Sequence, residues 1–146
     1  MTDAQIAVRP ALDGVAQLLE ATGLPIADLT EPGLEHFFFI GPRSAPTAVV
    51  GVEIYGEQAL LRSLAVSPEQ RNKGVGSLLV AHVERHARAQ GVRQMFLLTT
   101  TAYAFFTARG YMDAARATAP AAIRASREFS EICPTSSAFM TKRLVS

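Results

Sequence analysis

Cysteine is nearly absent, with Cys133 the single one among 146 residues. One thiol closes no internal disulfide and supplies no multi-thiolate metal site. The expectation is a metal-free protein in a reducing, cytoplasmic setting. Charge of one sign is also lacking. Fourteen Lys and Arg stand against 13 Asp and Glu, a net charge of +1, which leaves no basic excess for nucleic-acid phosphates. No apolar run reaches the roughly 20 residues that span a bilayer, and the first residues show no basic-then-apolar leader pattern. Neither a nucleic acid nor a membrane is therefore expected as partner. Repeats, low-complexity tracts and Gly/Ser/Pro linkers are missing too, so residues 1–146 read as one domain. What is present is a 49% hydrophobic, 18% charged composition, ordinary for a globular fold. A chain of this length buries about 68–70% of the surface it exposes unfolded, without a disulfide or metal staple.

Periodicity then gives the elements. Ile6 to Arg9 reads as a short strand stopped by Pro10, and Leu12, Val15, Leu18 and Leu19 recur at helical spacing until Gly23. Ile26 to Leu29 suits a further short helix. His36 to Ile40 and Ala48 to Tyr55 are β-rich runs joined by a Gly41–Pro46 turn, an antiparallel hairpin pattern, and Gly56 to Gln58 leads into Leu60 to Val66. A helix pattern from Gly76 to Gln90 closes at Gly91, and Gln94 to Thr100 is another strand. A connection that long suits a parallel crossover. Tyr103 to Arg109 reads as a short helix, Tyr111 starts a strand, Pro120 to Ile132 is helical and Ala138 to Leu144 is a last strand. The order defines an α/β fold on a mixed sheet.

The chemistry concentrates between Leu60 and Ser77. A strand feeds a glycine-bearing turn and a helix begins at once. Amides at a helix start, with the positive end of its dipole, suit a phosphate or diphosphate, and Arg71 and Lys73 add positive charge. The pattern lacks the spacing of a P-loop. It also lacks the third glycine of a dinucleotide fingerprint, since Leu79 stands there.

Arg71-Asn72-Lys73-Gly74-Val75-Gly76 resembles the acetyl-CoA loop of the GNAT superfamily of N-acetyltransferases, [Arg/Gln]-x-x-Gly-x-[Gly/Ala], and Leu64-Ala65-Val66 resembles the strand end before it. Ala102 to Tyr111 is similar to that superfamily's second CoA-side motif, a short helix ending in Gly-[Phe/Tyr]. The resemblance implies a mostly antiparallel mixed sheet with flanking helices and a central splay between two parallel strands. It implies acetyl-CoA as co-substrate, its diphosphate held by amides from Arg71, Asn72, Lys73, Gly74, Val75, Gly76 and Ser77. The backbone of Leu64, Ala65 and Val66 would pair with the pantetheine arm, with Thr99, Phe105 and Phe106 near the cofactor. The acceptor amine would attack the thioester directly, so position, a neutral amine and oxyanion donors are required rather than an activated nucleophile.

Gly23-Leu24-Pro25, Asp28-Leu29, Leu60 to Val66, Leu97 to Ala102, Ala119 to Arg124, Glu128-Phe129 and Cys133-Pro134 further resemble the arsenic-resistance N-acetyltransferases, the ArsN group of the second type. That resemblance implies a small amino-acid-like acceptor carrying arsenic or phosphorus. One cysteine per chain cannot supply the several thiolates that trivalent arsenic favours, so an amine is the more natural target. The chain departs from the superfamily pattern in three places. The position of the tyrosine acid is Phe106, a common asparagine is Thr99, and a glutamate base used by some members falls on Leu60.

Single residues admit competing readings. Arg62 shares strand parity with Leu60, Leu64 and Val66, and it either anchors a substrate carboxylate or oxyanion or forms an internal ion pair with Glu53. Glu53 is then an ammonium anchor or general base, and Tyr55 lines the same groove or caps the sheet. Thr100 and its neighbours Thr99 and Thr101 suit a strand end or a contact to substrate. Glu57, Arg124 and Arg127 read as solvated, His36 as structural, and His82 and His86 as a helix edge rather than metal ligands. The functional expectation is a small-molecule N-acetyltransferase, monomeric or homodimeric. A non-catalytic acyl-CoA sensor, motivated by Phe106, and a peptide or protein acetyltransferase are the alternatives.

Overall fold

A computed structural model of the chain describes residues 6–24, 26, 27, 29–71, 73–126, 129 and 137–144. Strands β1 (Ala7–Val8), β2 (Phe37–Ile40), β3 (Ala48–Tyr55), β4 (Gln58–Val66), β5 (Gln94–Thr99), β6 (Met112–Asp113) and β7 (Ala138–Arg143) form one sheet in the order β1-β2-β3-β4-β5-β7-β6. Pairing is antiparallel at β1–β2, β2–β3, β5–β7 and β7–β6 and parallel at β4–β5. The helices are α1 (Leu12–Ala21), α2 (Val75–Ala89), α3 (Tyr103–Thr107) and α4 (Ala121–Ala125). This is the mixed, mostly antiparallel α/β fold expected. By contacts the chain divides into two compact units, residues 1–52 with 63–83 and residues 53–62 with 84–146.

In the first unit, β2 and β3 form the hairpin with Phe37 opposite Gly51 and Ile40 opposite Ala48. Val15, Leu18 and Leu19 of α1 lie at helical spacing and bury against Leu34, Phe37, Phe39, Val49 and Ala65. Burial of each Leu or Phe of this kind contributes about 1.5–3 kcal/mol. Two expectations shift here. Among the described residues, Ile26 and Leu29 are not helical; they pack loosely on this cluster, and a 3₁₀ turn at Pro32–His36 takes His36 out of β2. Pro32 sits in that turn's first positions, where a missing N–H costs nothing.

In the second unit, β5 pairs with β7 along its whole length, from Gln94 opposite Arg143 to Thr99 opposite Ala138. The last strand of the chain thus lies between β5 and β6. Leu60, Phe96, Leu98, Ala119, Ile123 and Phe139 form the core, with Phe96 and Phe139 stacked at 5.5 Å. Helix α3 ends where Gly110 takes φ +95°: its N–H reaches the Thr107 carbonyl at 3.1 Å, and the Tyr111 N–H reaches that of Phe106 at 3.1 Å. A side chain at Gly110 would strain this cap. Of the expected Pro120–Ile132 helix, Ala121–Ala125 is helical and Ser126 is extended, while residues 127, 128 and 130–136, which include Arg127, Glu128, Cys133 and Pro134, lie outside the described residues.

Candidate functional site

In the first unit, β4 gives way to a tightly braced loop. The Ser67 N–H donates to the Thr47 carbonyl at 2.8 Å, and a 3₁₀ turn follows at Pro68–Gln70. The Arg71 Nε donates to the Val66 carbonyl at 3.2 Å, folding this exposed side chain back onto the strand end. Gly74 has φ +77° and nothing near its Cα for a side chain to meet, so glycine is required there by backbone conformation rather than space. The Leu78 N–H donates to the Gly74 carbonyl at 3.1 Å as α2 begins. The amides of Val75 and Gly76 precede that bond and open the helix at the positive end of its dipole. Val75, Leu79, Val80 and Val83 are buried and hold the helix in place, while Lys73 is exposed and Ser77 half-buried. Asn72 lies outside the described residues.

Ser63 alters the strand before this loop. Its φ of +59°, uncommon for a non-glycine residue, interrupts the pleat of β4 as in a β-bulge. The parity that groups Arg62 with Leu60 therefore does not extend to Leu64 and Val66, which corrects the strict alternation expected. Ala65 is buried against α1, while Leu64 and Val66 stay half-buried.

In the second unit, the parallel ladder runs from Gln58 opposite Gln94 to Leu60 opposite Phe96, while the strands continue to Val66 and Thr99. Arg62 lies two residues past the Leu60–Phe96 pair. Its Nη1 stands 2.9 Å from Glu53 Oε2, and the Tyr55 hydroxyl donates to Glu53 Oε1, so both oxygens of one carboxylate are engaged. The ion pair weighed as an alternative to a substrate anchor is thus present. Arg62 is buried, whereas the Glu53 side chain keeps 31% of its surface exposed. The Glu57 carboxylate lies 4.0 Å from Arg93 with both side chains exposed, and Arg124 is exposed.

Thr99 turns its hydroxyl oxygen to accept the Ala102 N–H at 2.9 Å, shaping the entry to α3, and Thr100 is exposed. Phe105 is half-buried, with the Arg109 guanidinium 3.7 Å over its ring. Phe106 is buried, edge-on to Phe105 at 5.1 Å and to Tyr111 at 5.5 Å. It serves the core of its unit. Tyr103 donates its phenol to Asp113 at 3.0 Å, and that carboxylate holds its pKa above the usual tyrosine value.

One buried network is not evident from the sequence motifs. Tyr111 donates its hydroxyl to Glu84 Oε2 at 3.0 Å, and Lys142 Nζ lies 2.9 Å from Glu84 Oε1. Burial, then the nearby Glu84 charge, drives the Tyr111 pKa far above its ordinary value. The available signal was Glu84 itself, a charge within a helical stripe of Val80, Val83 and Ala87. His82 packs edge-on against Phe38 at 4.7 Å, and no group of three or more metal-ligating side chains occurs among the described residues. No helix among them is long and apolar enough to cross a membrane.

Residues 17–111 match the acetyltransferase (GNAT) family, and the chain belongs to it. An uncharacterized N-acetyltransferase of Chlorobaculum tepidum is 30% identical over 115 residues, covering 76% of this chain and 74% of that protein. The amino-acid acetyltransferase of Ectopseudomonas mendocina is 44% identical over 62 residues, covering 42% of this chain and 14% of that protein. The chain thus spans a small part of this longer relative. Among solved structures, N-acetylglutamate synthase from Neisseria gonorrhoeae, complexed with coenzyme A and N-acetyl-glutamate, superposes with a TM-score of 0.83 at 22% identity. The match covers 100% of this chain and 36% of that one. Rv2747 from Mycobacterium tuberculosis, solved with CoA, has a TM-score of 0.77 at 16% identity, covering 97% and 99%. These similarities define the fold.

Proposed function

We propose that the chain, as one domain, transfers the acetyl group of acetyl-CoA to the amine of a small amino-acid-like acceptor. The observation that carries this reading is the braced loop in which Gly74 brings the chain into α2 with the amides of Val75 and Gly76 at its mouth. These amides, with those of Arg71, Asn72, Lys73, Gly74 and Ser77, hold the diphosphate. The backbone of Leu64, Ala65 and Val66 pairs with the pantetheine arm, and Thr99 and Phe105 contact the cofactor, as the family resemblance implies. Phe106, which the resemblance also places near the cofactor, is buried with its ring against Phe105. Arg62, Glu53, Tyr55 and Thr100 serve the acceptor, with Glu53 taking its ammonium or its proton.

Transfer is direct within a ternary complex. The amine lone pair forms a bond to the thioester carbonyl carbon, the tetrahedral oxyanion collapses, and the C–S bond breaks. The thiolate receives a proton and the amine nitrogen loses one to water. Amino-acid acetyltransferases among the relatives support an amino-acid-like acceptor. The segments similar to the ArsN group support an arsenic- or phosphorus-containing one. The setting proposed is cytoplasmic, with a small-molecule partner, no metal, membrane or nucleic acid, and a monomer or homodimer. Phe106 at the position of the tyrosine acid favours one other reading, a non-catalytic acyl-CoA sensor.

Incubation with acetyl-CoA and a panel of small amino acids and their phosphinic and arsonic analogues separates the two. Release of free CoA with formation of an N-acetyl product is expected. Tight acetyl-CoA binding with no product from any amine would leave the sensor.

A further inference from the structure

We propose that within the Arg62–Glu53 pair it is Glu53 that meets the acceptor, as an anchor for a primary alkylammonium, and that Arg62 and Tyr55 are positioning residues for its carboxylate. The inference rests on the acetyltransferase reading for its biological sense, but on the geometry of this cluster for its content. The cation is the buried member: the Arg62 side chain is 5% exposed, against 31% for Glu53. Its Nη1 points at Glu53 Oε2, so the pair presents its negative end outward. A carboxylate on the acceptor would have to reach a covered guanidinium past a like-charged group, which is unfavourable. An ammonium meets the accessible carboxylate directly.

The surroundings fit a cation with a short apolar stem. Tyr55 packs against the cluster of Leu60, Phe96 and Leu98, so an apolar wall lies beside the charge. Its ring adds a negative face to which a cation is drawn. Arg62 and the Tyr55 hydroxyl fix both carboxylate oxygens, holding the anchor in one orientation before the ligand arrives. The place in the fold agrees. The parallel ladder ends at Leu60 and Phe96, and the next residue of the same strand parity is Arg62, so the cluster stands where β4 and β5 cease to pair.

The test is a binding titration followed by chemical shifts, independent of turnover, with propylammonium and propionate as matched probes. Propylammonium should bind the CoA-loaded protein saturably and propionate should not. Glu53→Gln should weaken the ammonium at least about tenfold, a change of about 1.4 kcal/mol. Arg62→Met and Tyr55→Phe should weaken it in part, and Arg62→Lys should recover most of the Arg62→Met loss. Each variant is checked for folding by circular dichroism; if Arg62→Met does not fold, Arg62→Lys and Glu53→Gln decide the matter. Binding of propionate that is lost in Arg62→Lys, or no binding of either probe to the wild type, would overturn the assignment. A wild type that binds propylammonium yet acetylates nothing would refute the catalytic reading and leave this one standing.

Discussion

Tyr111 donates its phenol to Glu84 at 3.0 Å in the interior of the second unit, its ring edge-on to that of Phe106. Glu84 is also held by Lys142, so one helix, the residue after one cap and the last strand are tied through a single carboxylate. Buried charge is tolerated only when paired and hydrogen-bonded. Glu84→Ala should therefore destabilise the fold by about 3 kcal/mol, the lower end for a broken buried pair, because Lys142 keeps part of its side chain in water. Tyr111→Phe should cost about 1.5 kcal/mol, the weaker end for a hydrogen bond to a charged group. Urea midpoints measured at neutral pH check both.

The same tyrosine gives a pH dependence. Its folded pKa is raised, so its contribution is fully present below the pKa of about 10 that it has when unfolded and is lost as pH rises beyond that value. The unfolded chain sheds the proton there and the native one resists. Stability should thus fall as the pH rises above about 10, and that of Tyr111→Phe should fall less steeply. Parallel slopes for the two proteins would rule the linkage out.

Much of the architecture was legible because periodicity and caps agree. The expected Gly76–Gln90 helix is Val75–Ala89, and the expected Gln94–Thr100 strand is Gln94–Thr99. What the pattern could not provide was long-range order: nothing local to Ala138–Arg143 says that it lies between β5 and β6. Strand parity at Arg62 failed beyond one residue because Ser63 adopts φ +59°, and serine carries no mark of a left-handed position as glycine does. The loop before α2 is legible from its glycines, yet the bond that folds Arg71 back onto Val66 is not. The sequence leaves two readings for Arg62, and Glu53 lies 2.9 Å away as an ion-pair partner.

Gly74 separates backbone strain from function. Gly74→Ala should cost about 1–2 kcal/mol for a side chain at φ +77° and should also weaken acetyl-CoA. Gly56→Ala, at φ +67° with equally open surroundings, should carry the same strain without the binding loss. Thermal denaturation paired with calorimetry reads both effects. Equal losses of affinity in the two variants would detach the loop from the cofactor.

Phe106→Tyr should not restore an acid. The ring is 4% exposed between Phe105 and Tyr111, so the added hydroxyl enters the core and should destabilise by about 1–3 kcal/mol with no gain in kcat. A rise in kcat with a shifted pH profile would mean that this position faces the leaving thiol after all.

Acetyl-CoA binding is expected to depend on recognition of its diphosphate by the amides that open α2. Calorimetric titration with acetyl-CoA, compared with S-acetylpantetheine, which carries the same thioester and no diphosphate, tests this most directly. Saturable binding of acetyl-CoA, at least about tenfold tighter than that of S-acetylpantetheine, is the predicted result. Equal affinity for the two, or no heat with either, would contradict it.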